Sequence, residues 1–511
     1  MRRVKERIRA LLPPRAQQLI AGEGLKAKAA RGGAWLAVAS GLDQGFRFVR
    51  NMILTRLLAP EAFGLMAIVL AVNTFFESFS DVGIDTAVVQ NPRSEERPYL
   101  NAAWWISFVR ALGLYAVIFV AAPFVGEFYR QPSLATLMRV AFLSTVFRGT
   151  VSPKTWVMHK RMDFKRLMFV NQGAGICGTA AVIISALWMR NVWALVLGFT
   201  LEAAIRCVLS YAICPFRPGF EFHKQPLLEL YKYSRGMFGL PILTFIFLRA
   251  DVFVIGRVCS AADLGIYSMA AALGALPYAL LGTWMTQLVV PAFSHVQDDN
   301  ERIKRMLSKI TSAVVPLMMP ALAYVALYGG ELLRVVYGPR YMAAGAAFGI
   351  LFAVATVRVV NAPVAAVYFM TGRPELNRFY TVVRTVIIVV LLYPATKWFG
   401  LAGAAGSALI AMSVGSAIQI VRLRRLVGLR SSEYVADILP ALRYGAPVCV
   451  AWAITFFIPG LPHFAALGIG LVAVVFAYGL AGWERLRQPM QPVVAGGVPS
   501  EPVMSGKGSA T

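Results

Sequence analysis

The sequence predicts an all-α polytopic membrane protein of about 14 transmembrane helices, arranged as two pseudo-symmetric six-helix lobes plus two C-terminal helices. Three observations predict it. The chain of 511 residues is 58% hydrophobic and 15% charged, with a mean hydropathy of +0.64, whereas soluble globular proteins run at roughly 45–50% and about 25%. Apolar runs of about 20 residues, long enough to cross a bilayer as a helix, recur along nearly the whole chain. Segments of the first half also reappear in the second. Spans that fill over half the chain leave no room for a large extramembrane catalytic domain.

In chain order, a basic arm at 1–31 carries nine Lys or Arg against Glu6 and Glu23. It lacks the compact apolar run and small-residue cleavage site of a signal peptide, so it reads as a cytoplasmic interfacial segment drawn to anionic membrane lipids. The first lobe, 32–214, holds runs near 33–56, 62–84, 101–125, 133–156, 166–188 and 191–214. A cytoplasmic linker at 215–235 leads to the second lobe, 236–426, with runs near 236–257, 264–292, 307–328, 344–370, 378–396 and 400–421. Two further runs near 438–458 and 463–483 occupy 427–483, and the Pro-, Gly- and Ser-rich tail 484–511 has a disordered composition.

The positive-inside rule tests this order, because cytoplasmic loops concentrate Lys and Arg. With the N-terminus inside, the predicted cytoplasmic segments hold 33 basic residues and the opposite loops hold 7. One missed helix would scramble every later loop, so the split supports the span order as well as the orientation. Both termini are expected in the cytoplasm. The net charge of +25 is thereby assigned to membrane topology, and nucleic acid is not an expected partner.

The repeat is visible without gaps. At an offset of 201, LTRLLAPEAFGLMAIV (Leu54–Val69) aligns with IGRVCSAADLGIYSMA (Ile255–Ala270), placing Arg56 on Arg257 and Gly64 on Gly265. At an offset of 210, Arg148 and Pro153 fall on Arg358 and Pro363. Six helices per half is an even number, so the halves are parallel repeats about an axis along the membrane normal, which frame a central path in several transporters.

An Arg or Asp at a helix centre costs about 2.5–3.5 kcal/mol on insertion scales and normally faces a partner or water. By these runs, nine arginines (Arg47, Arg50, Arg110, Arg139, Arg148, Arg206, Arg249, Arg358, Arg384) lie within the membrane against five acids (Asp43, Glu77, Asp81, Glu202, Asp251). Pairing cannot absorb the excess. Arg47, Arg50, Arg110, Arg148, Arg249 and Arg358 are therefore the candidate substrate-binding residues, because guanidinium is planar, always charged and suited to bidentate phosphate or carboxylate. Glu202 and Arg206 form an i,i+4 pair that reads as structural, with Glu202 kept as an ion-coupling candidate. Arg139 and Arg384 sit near span ends and read as snorkelling. Asp251, two residues beyond Arg249, either is held by local arginines or titrates in step with transport. Glu77, Asp81 and Asp85 recur every four residues as one acidic stripe, which reads first as a gate or pairing surface for the basic loops and second as a cation site.

No Asp-x-Asp, His-Glu-x-x-His or phosphate-loop motif occurs, and the four histidines are scattered. The five cysteines lie inside apolar runs and read as reduced small hydrophobes. Neither catalysis, a metal nor a cofactor is expected.

Five segments carry a resemblance: LTRLLAPEAFGLMAIV, SDVGIDTAVVQ (Ser80–Gln90), HKRMDFKRL (His159–Leu167), FLRADVFVIGRVCSAADLGIYSMA (Phe247–Ala270) and PAFSHVQDDNERIKRM (Pro291–Met306). In order and spacing they resemble the polysaccharide transporter, or Wzx-type flippase, branch of the multidrug/oligosaccharidyl-lipid/polysaccharide (MOP) superfamily, within its colanic-acid-exporter-like subgroup. The resemblance runs from about Gly24 to Arg425. It implies a V-shaped pair of lobes around a cationic cavity in the bacterial inner membrane. The implied substrate is an undecaprenyl-pyrophosphate-linked oligosaccharide, moved to the periplasmic leaflet by alternating access for exopolysaccharide, capsule or O-antigen assembly. It also implies proton or sodium coupling, with Asp251 in the Arg-x-Asp step of the seventh helix as the carried-over candidate. Whether the basic arm recruits the polysaccharide polymerase and glycosyltransferases that work beside such proteins stays open. The alternatives are a cation-coupled drug exporter of the same superfamily, disfavoured by a positive cavity, and a membrane-embedded polymerase or ligase, disfavoured by short outer loops.

Overall fold

The computed structural model describes residues 25–80, 83–161, 163–219, 240–284, 293, 299–370, 374–458 and 462–487. Most of the basic arm, most of the inter-lobe linker, most of the tail, and Asp81 lie outside them. The first lobe comprises α1 (Leu25–Leu57), α2 (Pro60–Ser80), the short α3 (Ile84–Gln90), α4 (Arg97–Phe128), α5 (Ser133–Ala141), α6 (Leu143–Gly149), α7 (Lys154–Lys160), α8 (Phe164–Met189) and α9 (Val192–Ile213). The second comprises α10 (Leu240–Val258), α11 (Ala261–Gly274), α12 (Leu276–Trp284), α13 (Asn300–Tyr337), α14 (Gly345–Met370) and α15 (Pro374–Val427). The last elements are α16 (Ser431–Ile438), α17 (Ala446–Phe457) and α18 (His463–Arg487).

Every predicted run has a helix here. Ten helices among the described residues are long and apolar enough to cross a bilayer, or eleven when the bent pair Ser133–Gly149 and Lys154–Lys160 is one span. The charged α1 and α10 are not among them, and Arg378–Val427 counts once although it contains two predicted runs. Its break is Gly400, at φ 56° and ψ −136°, a conformation that only glycine adopts without strain.

Helix starts are fixed by side chains in the loops. Asp163 accepts from the Arg166 N–H, Asn191 from the Trp193 N–H and Asp299 from the Arg302 N–H, while Ser260 and Asp263 form a reciprocal capping box. Large apolar side chains then face outward. Trp188, Trp398, Phe399, Phe457 and Phe464 are all exposed and all lie at the end of the bundle that carries Arg56, as an aromatic belt at a membrane interface would. We call this the Arg56 end and its opposite the Lys160 end.

Small residues set how closely helices approach. A Cβ on Gly178 of α8 would lie 2.6 Å from the Glu202 Cβ of α9, and one on Gly198 of α9 2.5 Å from the Val182 Cβ. Gly178→Val is therefore expected to destabilise the first lobe by about 1–3 kcal/mol through overpacking, read as a lower unfolding midpoint in detergent.

The two lobes meet reciprocally. A Cβ on Gly64 would fall 1.8 Å from the Ala261 carbonyl oxygen, and one on Gly265 would fall 1.8 Å from the Pro60 carbonyl oxygen. Pro60 and Ala261 are themselves equivalent in the repeat, so α2 and α11 cross through matched small-xxx-small faces. The flanking arginines follow the same symmetry: Arg56 Nη2 donates to the Val335 carbonyl at 3.1 Å, reaching the end of α13, and the Arg257 guanidinium lies 5.5 Å over the Phe128 ring, at the end of α4. Phe63 packs edge-on against Tyr341 at 6.5 Å. The lobes are thus sealed together at the Arg56 end. Farther along the same seam, Phe75 of α2 packs on Phe245 and Phe253 of α10 at 5.6 and 6.4 Å.

The last two long helices dock on the outside of the second lobe. Tyr328 of α13, Val448 of α17, and Leu467 and Val474 of α18 form one buried cluster. At its Lys160 end, Tyr444 and Arg443 both donate to Glu484.

Candidate functional site

The intramembrane arginines fall into two groups with different kinds of partner. In the first lobe Arg47, Arg148 and Arg206 meet carboxylates, while Arg139 stacks 4.4 Å from the Phe119 ring centroid. Arg47 Nε donates to Asp43 Oδ2 at 2.8 Å within α1, Arg206 Nη2 to Glu202 Oε1 at 3.1 Å within α9, and Arg148 Nη1 of α6 to Glu77 Oε1 of α2 at 3.2 Å. Arg50 lies within electrostatic reach of Arg47, Glu202 and Asp43, and Arg206 within reach of Arg148 and Arg47. The result is one connected network. Asp43, Arg47, Arg50 and Glu202 line a single cleft with Gln172 and Gly175, whose free space of about 10 Å³ holds at most one water. In this conformation Asp43, Glu77 and Glu202 each pair with an arginine of their own lobe.

In the second lobe the partners are aromatic. The Arg358 guanidinium of α14 stacks 3.7 Å from the Tyr278 ring centroid of α12, and that of Arg384, in α15, stacks 4.4 Å from the Phe247 centroid of α10. Arg384 and Arg358 lie within electrostatic reach of each other. No ion pair among the described residues involves either, and the buried Arg384 Nε has no hydrogen-bond partner. A ring face attracts the cation but leaves the in-plane N–H donors of the guanidinium unspent.

These groups occupy the same seat in the two repeats. Arg148 corresponds to Arg358, and Glu77, the partner of Arg148, corresponds at the 201 offset to Tyr278, the partner of Arg358. The first lobe sets a carboxylate beside its arginine in addition to the Phe199 ring, 5.0 Å from the guanidinium, where the second supplies a ring without an acid.

Of the remaining candidates, Arg110 Nη1 donates to the Ser80 carbonyl and hydroxyl at 3.1 and 3.2 Å. Arg249 is exposed. Asp251 accepts from the Tyr267 hydroxyl at 3.0 Å and from the Val252 N–H at 2.8 Å, so its hydrogen-bond partners are a tyrosine and the main chain rather than an arginine. By a rise of about 1.5 Å per residue, Arg47, Arg50 and Arg249 lie about 10–15 Å from the Arg56 end, and Arg148, Arg358 and Arg384 about 20 Å. Two levels of positive charge therefore line up in the bundle.

Arg384 departs from its sequence reading as a snorkelling residue. Its helix starts at Pro374, which puts Arg384 about 15 Å in from that end. Tyr278, Phe247 and Tyr267 escaped sequence reasoning, although the repeat carried a signal for the first: a tyrosine where the other half has a membrane-embedded glutamate. Of the acidic stripe, Glu77 is committed to Arg148, Asp85 accepts from Thr86, and Asp81 lies outside the described residues.

Comparison with known proteins places this geometry. A family model described as "Polysaccharide biosynthesis protein" matches residues 53–345. The lipopolysaccharide biosynthesis protein WzxC of Escherichia coli is 21% identical over 440 residues, covering 85% of this chain and 89% of that protein. The succinoglycan biosynthesis transport protein ExoT of Rhizobium meliloti is 26% identical over 307 residues, 60% of this chain and 62% of that one. Among solved structures, the lipid II flippase MurJ in an inward closed conformation superposes with a TM-score of 0.72 at 12% identity, over 88% of this chain and 99% of that one. An inward-facing multidrug resistance transporter of the MATE family, in the MOP superfamily, gives 0.59 at 13% identity over 76% and 98%. The fold is that of the MOP exporters.

Proposed function

Because the chain belongs to the polysaccharide biosynthesis protein family, we propose that it is a flippase that carries undecaprenyl-pyrophosphate-linked oligosaccharide repeat units from the cytoplasmic to the periplasmic leaflet. The Lys160 end, where the basic loops gather, faces the cytoplasm, and both termini lie on that side of a bacterial inner membrane crossed by fourteen spans. The sealed Arg56 end is then the periplasmic gate. Transport proceeds by alternating closure of that gate and of the opposite one.

The observation that carries this reading is the pair Arg358 and Arg384, supported by aromatic faces and free of carboxylates. Stacking keeps a guanidinium at a fixed place inside the membrane with its hydrogen-bonding edge available, which is the arrangement a pyrophosphate or an acidic sugar requires. Arg249 and Arg50 form the level nearer the periplasm that the anion meets next. The polyprenyl tail stays in the bilayer while the polar head passes. A polymerase and glycosyltransferases act beside the transporter on the same carrier. Relatives named for polysaccharide biosynthesis and transport, and a fold neighbour named as a lipid flippase, support this substrate class. A drug exporter of cationic compounds fits less well, since unpaired arginines repel a cation at close range.

Deleting the gene in its host tests the reading. Lipid-linked repeat units should accumulate in the cytoplasmic leaflet, with normal distribution restored by the wild-type gene; an unchanged leaflet distribution would refute it.

Asp251, hydrogen-bonded to Tyr267, is the coupling group. Asp251→Asn keeps the hydrogen bond but removes the titratable charge, so transport is expected to persist while its dependence on an imposed proton or sodium gradient disappears. Full gradient dependence in that variant would exclude Asp251.

A further inference from the structure

Away from the central arginines, an open cavity of about 690 Å³ lies at the Lys160 end of the first lobe. Arg97, at the start of α4, Lys154, at the start of α7, and Arg217, just beyond α9, line it together. None of the three makes an ion pair among the described residues, and the one acid in the wall, Glu95, is taken up by Arg161. The Arg161 guanidinium holds the Glu95 carboxyl below its usual range, so Glu95 stays a spent anion at neutral pH.

The cavity is built rather than incidental. The segment carrying Arg217 is strapped to α4 at both main-chain groups of Gly219: its N–H donates to Asn101 Oδ1 at 2.8 Å, and Trp105 Nε1 donates to its carbonyl at 2.8 Å. Tyr211 is locked as well, donating to the Thr150 carbonyl at 2.7 Å and accepting from Trp104 Nε1 at 2.9 Å. Two straps hold the Arg217 segment against α4, and the buried Leu100 and Phe216 line the same cavity as Arg97, Lys154 and Arg217. Three bases thus line one cavity whose single acid is already paired with Arg161.

We propose that this cavity binds the phosphate of a membrane lipid at the cytoplasmic leaflet, separately from the central arginines. Three bases at the interface match a phosphate or diphosphate group, and the apolar Leu100 and Phe216 match the first carbons of its lipid chain. The chemistry is common to a polyprenyl diphosphate and an anionic phospholipid. It does not depend on whether the protein transports, only on which end faces the cytoplasm.

Hydrogen–deuterium exchange of the full chain in phosphatidylcholine nanodiscs tests it, with added geranyl diphosphate in one arm and part of the lipid replaced by phosphatidylglycerol in the other. Protection is expected at residues 95–100 and 211–217. The Arg97→Gln/Lys154→Gln/Arg217→Gln variant should lose it, with an apparent affinity at least about tenfold weaker, and Arg97→Lys/Lys154→Arg/Arg217→Lys should retain it. Arg358→Gln, which leaves the cavity intact, should also retain it. Protection in the diphosphate arm alone identifies the polyprenyl carrier as the source, and protection in the phosphatidylglycerol arm identifies a resident phospholipid. No protection in either arm, or equal protection in the triple Gln variant with unchanged exchange elsewhere, overturns the proposal.

Discussion

Adding one methyl group at position 265, as Gly265→Ala, is expected to hold the protein away from the sealed state and to cut transport at least about tenfold. The new Cβ has nowhere to go: it would lie 1.8 Å from the Pro60 carbonyl oxygen and 2.7 Å from the attached carbon, both main-chain atoms of the opposite lobe. A flexible side chain would yield, but a helix backbone must move as a unit. A clash costing more than about 3 kcal/mol, the upper range for ordinary overpacking, would shift the balance between gate states by more than about a hundredfold. Gly64→Ala should act in the same way, because the contact is reciprocal. Gly113→Ala in α4 is the matched control, with open space around its Cβ and a small gain in helix propensity. Cross-linking by a short bifunctional thiol reagent between cysteines placed at Phe63 and Tyr341, whose rings pack at 6.5 Å, reads the gate directly. The pair should cross-link readily in the parent and slowly with Gly265→Ala; equal cross-linking would show that the Arg56 end closes by some other contact.

Tyr278→Glu is expected to be as damaging to transport as Arg358→Gln, although it removes no positive charge. It would give the second lobe the pairing that the first lobe already has, with a carboxylate beside Arg358 as Glu77 stands beside Arg148. The guanidinium would then spend its in-plane donors on the new acid and lose its net attraction for an anion. Arg358→Gln deletes the charge itself. Loss of a charge-assisted contact is worth about 1.5–3 kcal/mol, so each variant should lower substrate affinity roughly tenfold to a hundredfold. Tyr278→Phe keeps the ring and should stay near wild type. If Tyr278→Glu transported normally while Arg358→Gln failed, the role of Arg358 would be packing or folding rather than anion capture.

Much of this was legible in the chain before any coordinates. Most apolar runs became long helices, because a segment inside a bilayer must satisfy its own backbone. The repeat was legible too, and Gly64 and Gly265 carried it to the point where the lobes touch. Partner choice was not legible, since it depends on the rotation of each helix about its axis. Arg47 and Arg358 look alike in sequence, yet one faces Asp43 a turn earlier on its own helix and the other faces a ring on a neighbour. Asp251 sits two residues from Arg249, but successive side chains diverge around a helix and it finds Tyr267 on α11 instead. Arg384 was placed by a run boundary that fell four residues inside the true helix start, which made a deep residue look shallow.

The most direct test of the central claim is leaflet transfer of an undecaprenyl-pyrophosphate-linked oligosaccharide in proteoliposomes containing only this protein, with and without imposed proton and sodium gradients. Transfer to the far leaflet that is driven by one gradient, lost in Arg358→Gln and uncoupled in Asp251→Asn is the predicted result. Intact protein that leaves the lipid-linked oligosaccharide in its original leaflet under every gradient, or that alters the glycan covalently, would contradict it.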